Sequence, residues 1–372
     1  MSLIPECKGL LTAEQVLADY AELVQKEILP KYKLADDTFV VAVGGSLGGM
    51  YAAWARYKYP NVFSAALSAS GPVRMMDDSI DPTAYFAKVT QDFANADATC
   101  PDLVRKGYND IRLAASTGTT GADELMRAFN LCAPVATSAD VEHLELFLRN
   151  ALNYLAMLDY PYATNFLGPL PGHPVNVACG MLKNNSMPLL NRLGGAAGLF
   201  YQNTTGTCLD MYALFRPCAD RSGCGGSIAW DVQSCTEMGM LATTNNVTDM
   251  FPPTEWTLQD LTSYCQETYG LVPRRDWTVR YFGGGNLKAA SRIIFSNGDL
   301  DPWSTAGITT QLADDLPAVV IEQAAHHLDL RGTHAGDPES VTKARAEELA
   351  YLTKWLAEDE ASRAKPVAIV EK

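Results

Sequence analysis

Apolar Val16, Tyr20, Leu23 and Ile28 recur at near-helical spacing, which predicts a first helix from about Ala13 to Leu29. Thr12 is placed to cap it, with Gln15 completing a capping box. The period then changes. Thr38-Phe39-Val40-Val41-Ala42-Val43 is a short β-branched run that reads as a buried parallel strand. A helix-like stretch from Met50 to Tyr59 separates it from a second apolar run, Phe63-Ser64-Ala65-Ala66-Leu67-Ser68-Ala69, giving a strand–helix–strand unit. From about Pro82 to Asp159 the pattern is helical, most clearly where Val141, Leu144, Leu148, Leu152, Leu155 and Leu158 form one apolar stripe suited to core packing. Between Pro161 and Arg275 the chain is rich in Pro, Gly and Cys, which predicts irregular structure tied by disulfides. Strand patterns return at Arg292-Ile293-Ile294-Phe295 and Ala318-Val319-Val320-Ile321, and a closing amphipathic helix is expected from about Glu339 to Ala357. The tail from Asp359 to Lys372 is charged and reads as loose. The order is α/β, an insertion, then α/β again.

Composition narrows the class. A chain of 372 residues is long enough for one large domain with an insertion, or for two domains. With 47 % hydrophobic and 19 % charged residues, disordered, collagen-like and coiled-coil chains are excluded. The net charge of −14 and the lack of a Lys/Arg cluster exclude nucleic acid as a partner. The uncharged stretch from Phe39 to Ala55 falls just short of a membrane span and holds four Gly, so no span is expected. Nine cysteines, eight of them between Cys100 and Cys265, agree with three glycosylation sequons at Asn184, Asn203 and Asn246 in placing the chain in an oxidising compartment. Against that, the first residues show no basic region followed by an apolar one, so no signal peptide is visible.

The chemistry begins at Gly44-Gly45-Ser46-Leu47-Gly48, a G-x-S-x-G pattern between a predicted strand and a predicted helix. Such a turn strains the nucleophile's backbone, tolerates only small neighbours, and lifts the Ser46 hydroxyl clear of the sheet. It also aims the Leu47 N–H, at the positive end of the following helix, toward an oxyanion on the carbonyl under attack. The competing reading is a phosphate-binding loop. No Lys follows as in a P-loop, and the glycine spacing does not fit the dinucleotide fingerprint. A serine nucleophile needs a base and a carboxylate that orients it, in the chain order Ser, acid, His for hydrolases of this type. His143 lies within the amphipathic helix, His173 lies between prolines, and His334 is in a Gly/Thr segment, whereas His326 and His327 follow a predicted strand. Asp299 and Asp301 follow the preceding one. Order alone leaves Asp299 or Asp301 and His326 or His327. The adjacent histidines lack a third ligand at metal-binding spacing, so no metal and no cofactor is expected.

Three segments carry a family resemblance: Gly44-Gly45-Ser46-Leu47-Gly48-Gly49-Met50, Ser296-Asn297-Gly298-Asp299-Leu300-Asp301-Pro302-Trp303 and Ala325-His326-His327-Leu328-Asp329-Leu330-Arg331. They resemble the lysosomal serine exopeptidases that include Pro-Xaa carboxypeptidase and dipeptidyl peptidase II. Phe166-Leu167-Gly168-Pro169-Leu170-Pro171, the Cys218 to Cys224 insertion and Asn245-Asn246-Val247-Thr248-Asp249-Met250-Phe251-Pro252 lean toward the dipeptidyl peptidase branch. The resemblance implies nucleophile Ser46, acid Asp301 and base His326. It also implies an apolar S1 wall of Met50, Met240 and Trp303, and disulfides Cys100–Cys179, Cys132–Cys208, Cys235–Cys265 and Cys218–Cys224, with Cys7 left over. The implied fold is an α/β-hydrolase core with an inserted helical, disulfide-linked cap. Its sections would be core at 1–74, cap at 75–285, core at 286–358 and tail at 359–372. Where the family has Tyr after the nucleophile, this chain has Leu47. With so few residues before Ser46, the chain reads as a member lacking its leader, its first strands and part of its oxyanion hole.

The expected activity is release of N-terminal dipeptides after Pro or Ala through an acyl-enzyme, acting on peptides in the lysosome or outside the cell, with a dimer implied by the resemblance. The alternatives are Pro-Xaa carboxypeptidase action, a non-catalytic truncated fragment, and an esterase or lipase on the same fold. A dipeptidyl peptidase needs a carboxylate near the substrate's ammonium, for which Glu237 and Asp249 are the candidates; a carboxypeptidase needs a cation for the terminal carboxylate.

Overall fold

The computed structural model of the chain describes residues 9–201, 208–219 and 228–363. Its central feature is a parallel sheet in the order β1 (Val41–Gly45), β2 (Ala65–Ala69), β5 (Ile293–Gly298), β6 (Ala318–Ile321). Val41 lies opposite Ala65, Ala66 opposite Ile293, and Phe295 opposite Ala318, so strands from the two ends of the sequence interleave. The intervening β3 (Thr164–Asn165) and β4 (Pro169–Leu170) form a separate short antiparallel pair. β2 and β5 are buried along their whole length, including the polar Ser68, Ser296 and Asn297 toward their C-terminal ends. β1 is not: it stands at the edge of the described sheet, and Val43 is 57 % exposed.

The helix Leu47–Lys58 returns the chain from β1 to β2 and is buried from Gly49 through Ala55. Its alanines allow close approach to the sheet. Trp54, fully buried, stacks on Phe282 at 4.0 Å between ring centres and so ties the first strands to the segment just before β5. Between β2 and β5 the chain is mainly helical. The longest helix there, Ser138–Met157, starts with a full capping box, Thr137 with Asp140, and buries Leu144, Leu148, Leu152 and Leu155. Cys100–Cys179 and Cys132–Cys208 are bonded across this helical layer, and Cys235–Cys265 anchors a small second core with Trp256 and Leu261. Cys7, Cys224 and Asn203 lie outside the described residues, as does the Cys218–Cys224 pairing. Asn184 and Asn246 are exposed. The chain therefore has an α/β-hydrolase core with a helical, disulfide-linked insertion. No helix among the described residues is long and apolar enough to cross a membrane.

Three expectations change. The first helix exists, but its inner face is Ala13, Leu17, Ala21 and Val24, while Tyr20, Leu23 and Ile28 are exposed. A π-helical segment at Leu23–Ile28 shifts the phase, and small alanines rather than the bulky residues make the close contact. Thr12 accepts the Gln15 N–H, but the Gln15 side chain turns to Asp19, so the capping box is only half made. The segment from Pro161 to Arg275 is not irregular: it holds helices Pro174–Lys183, Leu189–Tyr201 and Leu258–Tyr269 among others. Pro174 sits at the first helical position, where its missing N–H is no loss, so proline there starts a helix instead of breaking one. Finally, the closing helix continues past Ala357 to Arg363.

Candidate active site

Ser46 sits where β1 ends and the helix Leu47–Lys58 begins, at φ 61° and ψ −127°. That conformation is costly for a residue with a Cβ, and the neighbourhood holds it in place. The Ser46 N–H donates to the Ala69 carbonyl at 2.9 Å. A Cβ on Gly44 would lie 2.0 Å from the Gly48 carbonyl oxygen, and one on Gly45 would press on the His327 ring at 3.0 Å. The two glycines before Ser46 are therefore required by close approach, whereas a Cβ on Gly48, after it, would meet nothing within 4 Å. Leu47 is the first residue of the helix, so its N–H belongs to the group that no intrahelical carbonyl can satisfy.

The two ambiguities of the sequence are separated by burial. Asp299 is exposed at the end of β5, whereas Asp301 is fully buried and caps the short 3₁₀ turn Pro302–Ala306. One Asp301 oxygen accepts the Trp303 N–H at 3.0 Å and the other meets His326 Nδ1 at 2.9 Å. His326 is 2 % exposed. Its backbone is fixed by the end of the long helix: its N–H donates to Met157, and its carbonyl accepts the Tyr160 hydroxyl at 3.0 Å. With Nδ1 donating to Asp301, the remaining Nε2 is the nitrogen left to act as a base. His327 is occupied differently. It lies in the left-handed region at φ 44°, its N–H donates to Ser70 Oγ, and its ring packs edge-on against Phe166. Burial, and then the neighbouring His326, push its pKa down to about 3, so it stays neutral.

Ser46, Leu47 and His326 open onto one cavity of about 220 Å³, walled by Met50, Trp303, Tyr85, Asn153, Met157 and Phe166. Met50 and Trp303 are on this wall. Met240 is not: it is buried and lines a neighbouring cavity with Asp78 and Arg275, on the far side of Tyr85. Tyr85, Asn153 and Met157 come from the helical insertion and were not singled out from the sequence. Tyr85 donates to Asn153 Oδ1 at 2.8 Å, and the Trp303 indole N–H points at the Met157 sulfur. Nothing in their own segments of the sequence marks them out. Among the described residues the lining has no Asp, Glu, Lys or Arg. Glu237 is spent elsewhere, on the Ala13 N–H and Arg274, and Asp249 on the N–H groups of Asn245, Asn246 and Phe251.

The other histidines have structural places. His143 bonds the Met211 carbonyl and stacks on Tyr212, the His334 ring packs at a tilt on Tyr162, and His173 precedes the helix Pro174–Lys183 with its N–H on the Tyr160 carbonyl.

Comparison with known proteins agrees with this geometry. The profile of the family described as serine carboxypeptidase S28 matches residues 5–348. The human lysosomal Pro-X carboxypeptidase is 39 % identical over 355 residues, covering 94 % of this chain and 69 % of that protein. Prolyl carboxy peptidase like protein 5 of Caenorhabditis elegans is 34 % identical, covering 94 % of this chain and 72 % of its own length. The mouse thymus-specific serine protease is 26 % identical, with 93 % and 69 % covered. A family-wide match over nearly the whole chain, on an α/β-hydrolase core with the serine elbow in place, settles the assignment: the chain belongs to the serine carboxypeptidase S28 family of serine peptidases.

Proposed function

We propose that the protein is a serine exopeptidase that removes the residue following a C-terminal-side proline, a Pro-Xaa carboxypeptidase, with Ser46 as nucleophile, His326 as base and Asp301 as its orienting acid. The carrying observation is that Ser46 and the His326–Asp301 pair meet at one apolar cavity. In the reaction Ser46 Oγ attacks the prolyl carbonyl carbon while His326 Nε2 takes its proton, and the Leu47 N–H donates to the oxyanion. The peptide C–N bond then breaks as His326 returns the proton to the leaving amine, and water, activated by the same imidazole, releases the acyl group. The flat indole face of Trp303 and the apolar side chain of Met50 suit a pyrrolidine ring, which offers no N–H to satisfy.

Two observations favour carboxypeptidase over dipeptidyl peptidase action. The relatives at 34–39 % identity reported above are named for proline carboxypeptidase activity. The two carboxylates that could hold a substrate ammonium are both engaged away from the cavity. With no Lys or Arg among the described residues of the lining, a terminal carboxylate would be left to a neutral donor such as the Asn153 side-chain amide. The lysosomal names of the relatives and the bonded cysteines support a lumenal location.

The test uses the purified chain and two reporters, an N-blocked peptide ending in Pro-Phe and an Xaa-Pro amide with a free N-terminus. Release of Phe from the first with no cleavage of the second is expected. The reverse pattern would establish the dipeptidyl peptidase reading instead, and no cleavage of either, with no fluorophosphonate labelling of Ser46, would overturn the peptidase reading for this chain.

A further inference from the structure

The closing helix Glu339–Arg363 buries Val341, Ala344 and Trp355, and at the same inner face it buries Glu348, which is 4 % exposed. A carboxyl in an apolar seam is costly unless it is neutral or well paired. Its partner is Asp329, 6 % exposed, in the short turn Leu328–Leu330, three residues after His326. Asp329 accepts a hydrogen bond from Ser296 Oγ at 2.5 Å, and Ser296 is a fully buried residue of β5, the strand that leads to Asp301. The closing helix packs on this turn, which brings the two buried carboxyl groups close enough to act on each other's titration. One of them must then carry a proton, since two carboxylates can only repel. No N–H or O–H donor is directed at Glu348 Oε1. That would orphan a charged group but suits a neutral acid.

The surrounding charges relieve the pair only in part: the Arg345 charge favours ionisation of Glu348, but burial and Asp329 outweigh it. Arg345, one turn earlier, spends its guanidinium on the carbonyls of Leu328, Asp329 and Arg331 and on Asp337. Glu347 is exposed and adds negative charge. β2 and β6, which also pack on this helix, bring no titratable side chain.

We propose that Glu348 is a positioning residue for the histidine loop: its protonated carboxyl donates to Asp329, and with Ser296 it ties the loop carrying His326 to the strand carrying Asp301, so that loss of this proton loosens the pair at alkaline pH. Burial, and then the Asp329 charge, push the Glu348 pKa up to about 9, which places the release in the alkaline range. The consequence for catalysis rests on the peptidase reading above; the clamp itself does not.

Glu348→Gln tests both, because its amide can donate to Asp329 at any pH and cannot ionise. Hydrogen exchange of residues 324–331, read by mass spectrometry, is compared between wild type and Glu348→Gln at pH 6 and pH 9, alongside the rate of fluorophosphonate labelling at Ser46. At pH 6 the two proteins should match. At pH 9, near the midpoint of the proton's release, the wild-type loop should exchange at least about twofold faster than that of the variant, and its labelling should fall about twofold while the variant's holds. Equal exchange at both pH values overturns the clamp. Absence of labelling in both proteins at every pH overturns the peptidase reading while the exchange comparison still decides the clamp. If Glu348→Gln does not fold, the wild type alone answers: exchange of 324–331 relative to that of 293–297 must rise between pH 6 and 9, and a constant ratio overturns the proposal.

Discussion

Ser46→Ala is expected to abolish fluorophosphonate labelling and to lower kcat by about 10⁴–10⁶, with KM little changed. The hydroxyl makes a bond only in the reacting state, so its loss spares ground-state binding to the cavity wall. Asp301→Asn is expected to cost about 10⁴ in kcat, for a different reason. The buried Asp301 oxygen accepts from His326 Nδ1 at 2.9 Å, which favours the tautomer whose Nε2 can take a proton, on the cavity that Ser46 also lines. An amide in that place can present its NH₂ to Nδ1 and so favour the wrong tautomer. Asp299→Asn should leave activity within about twofold, because Asp299 is exposed and its side chain is away from the histidine. Steady-state kinetics on the N-blocked Pro-Phe peptide, with circular dichroism to show that each variant folds, reads all three. Combining Ser46→Ala with Asp301→Asn should cost no more than Ser46→Ala alone, since the groups act as one unit. An Asp299 variant as damaged as the Asp301 variant would remove Asp301 from its role.

These expectations show which parts of the site can be read from sequence. The elbow is legible because its main constraint is local: Gly44 is required by its contact with Gly48 around a single strained residue, and strand, turn and helix lie within about twenty residues, whereas the Gly45 contact with His327 is long-range. The order of serine, acid and histidine is legible for the same reason, each following its own strand. The choice between Asp299 and Asp301 is not, since it depends on which side chain turns inward after β5, and only Asp301 is buried. The cavity wall is less legible still. Tyr85, Asn153 and Met157 reach Ser46 and Trp303 across a large sequence separation, and nothing in their own segments announces the meeting. Met240 shows the opposite error: a residue of suitable chemistry that packs on the other side of Tyr85. Periodicity misread the first helix because Tyr20 and Leu23 look like a core face while Leu17 and Ala21 make it. Those exposed residues line an apolar groove with Val43 beside the open edge of β1, where the sheet's usual signal of burial is weakest.

The thermal midpoint should be highest near pH 4–6 and fall as the pH rises to 8.5. Burial pushes the pKa of Asp92 up to about 8, of Asp159 to about 6 and of Glu237 to about 7. Asp92 keeps this direction despite its contact with Lys88, because its second oxygen is buried with no donor and Asp159 and Asp301 add negative charge nearby. The sign follows directly. Each of these groups holds its proton more tightly folded than unfolded, so its contribution is fully present below the unfolded value near 4 and is lost as the pH climbs through the folded one. Together they should remove on the order of a few kcal/mol between pH 4 and 8, at about 2–4 °C in the midpoint for each kcal/mol. The opposite group bounds the acid side. Asp97, held down first by Lys183, and Asp77 and Asp337, held down by hydrogen bonds and nearby arginines, stabilise above the unfolded value and lose that contribution as the pH falls below it. Most of these three are at least partly exposed and screened, so the alkaline loss should dominate. Differential scanning calorimetry from pH 3 to 8.5 measures the profile, and Asp92→Asn, which removes the titration while keeping the shape, should flatten it between pH 6 and 8.5. A midpoint that rises with pH across that range would mean that these carboxyls are ionised in the folded protein, and that the interior is not adapted to an acidic lumen.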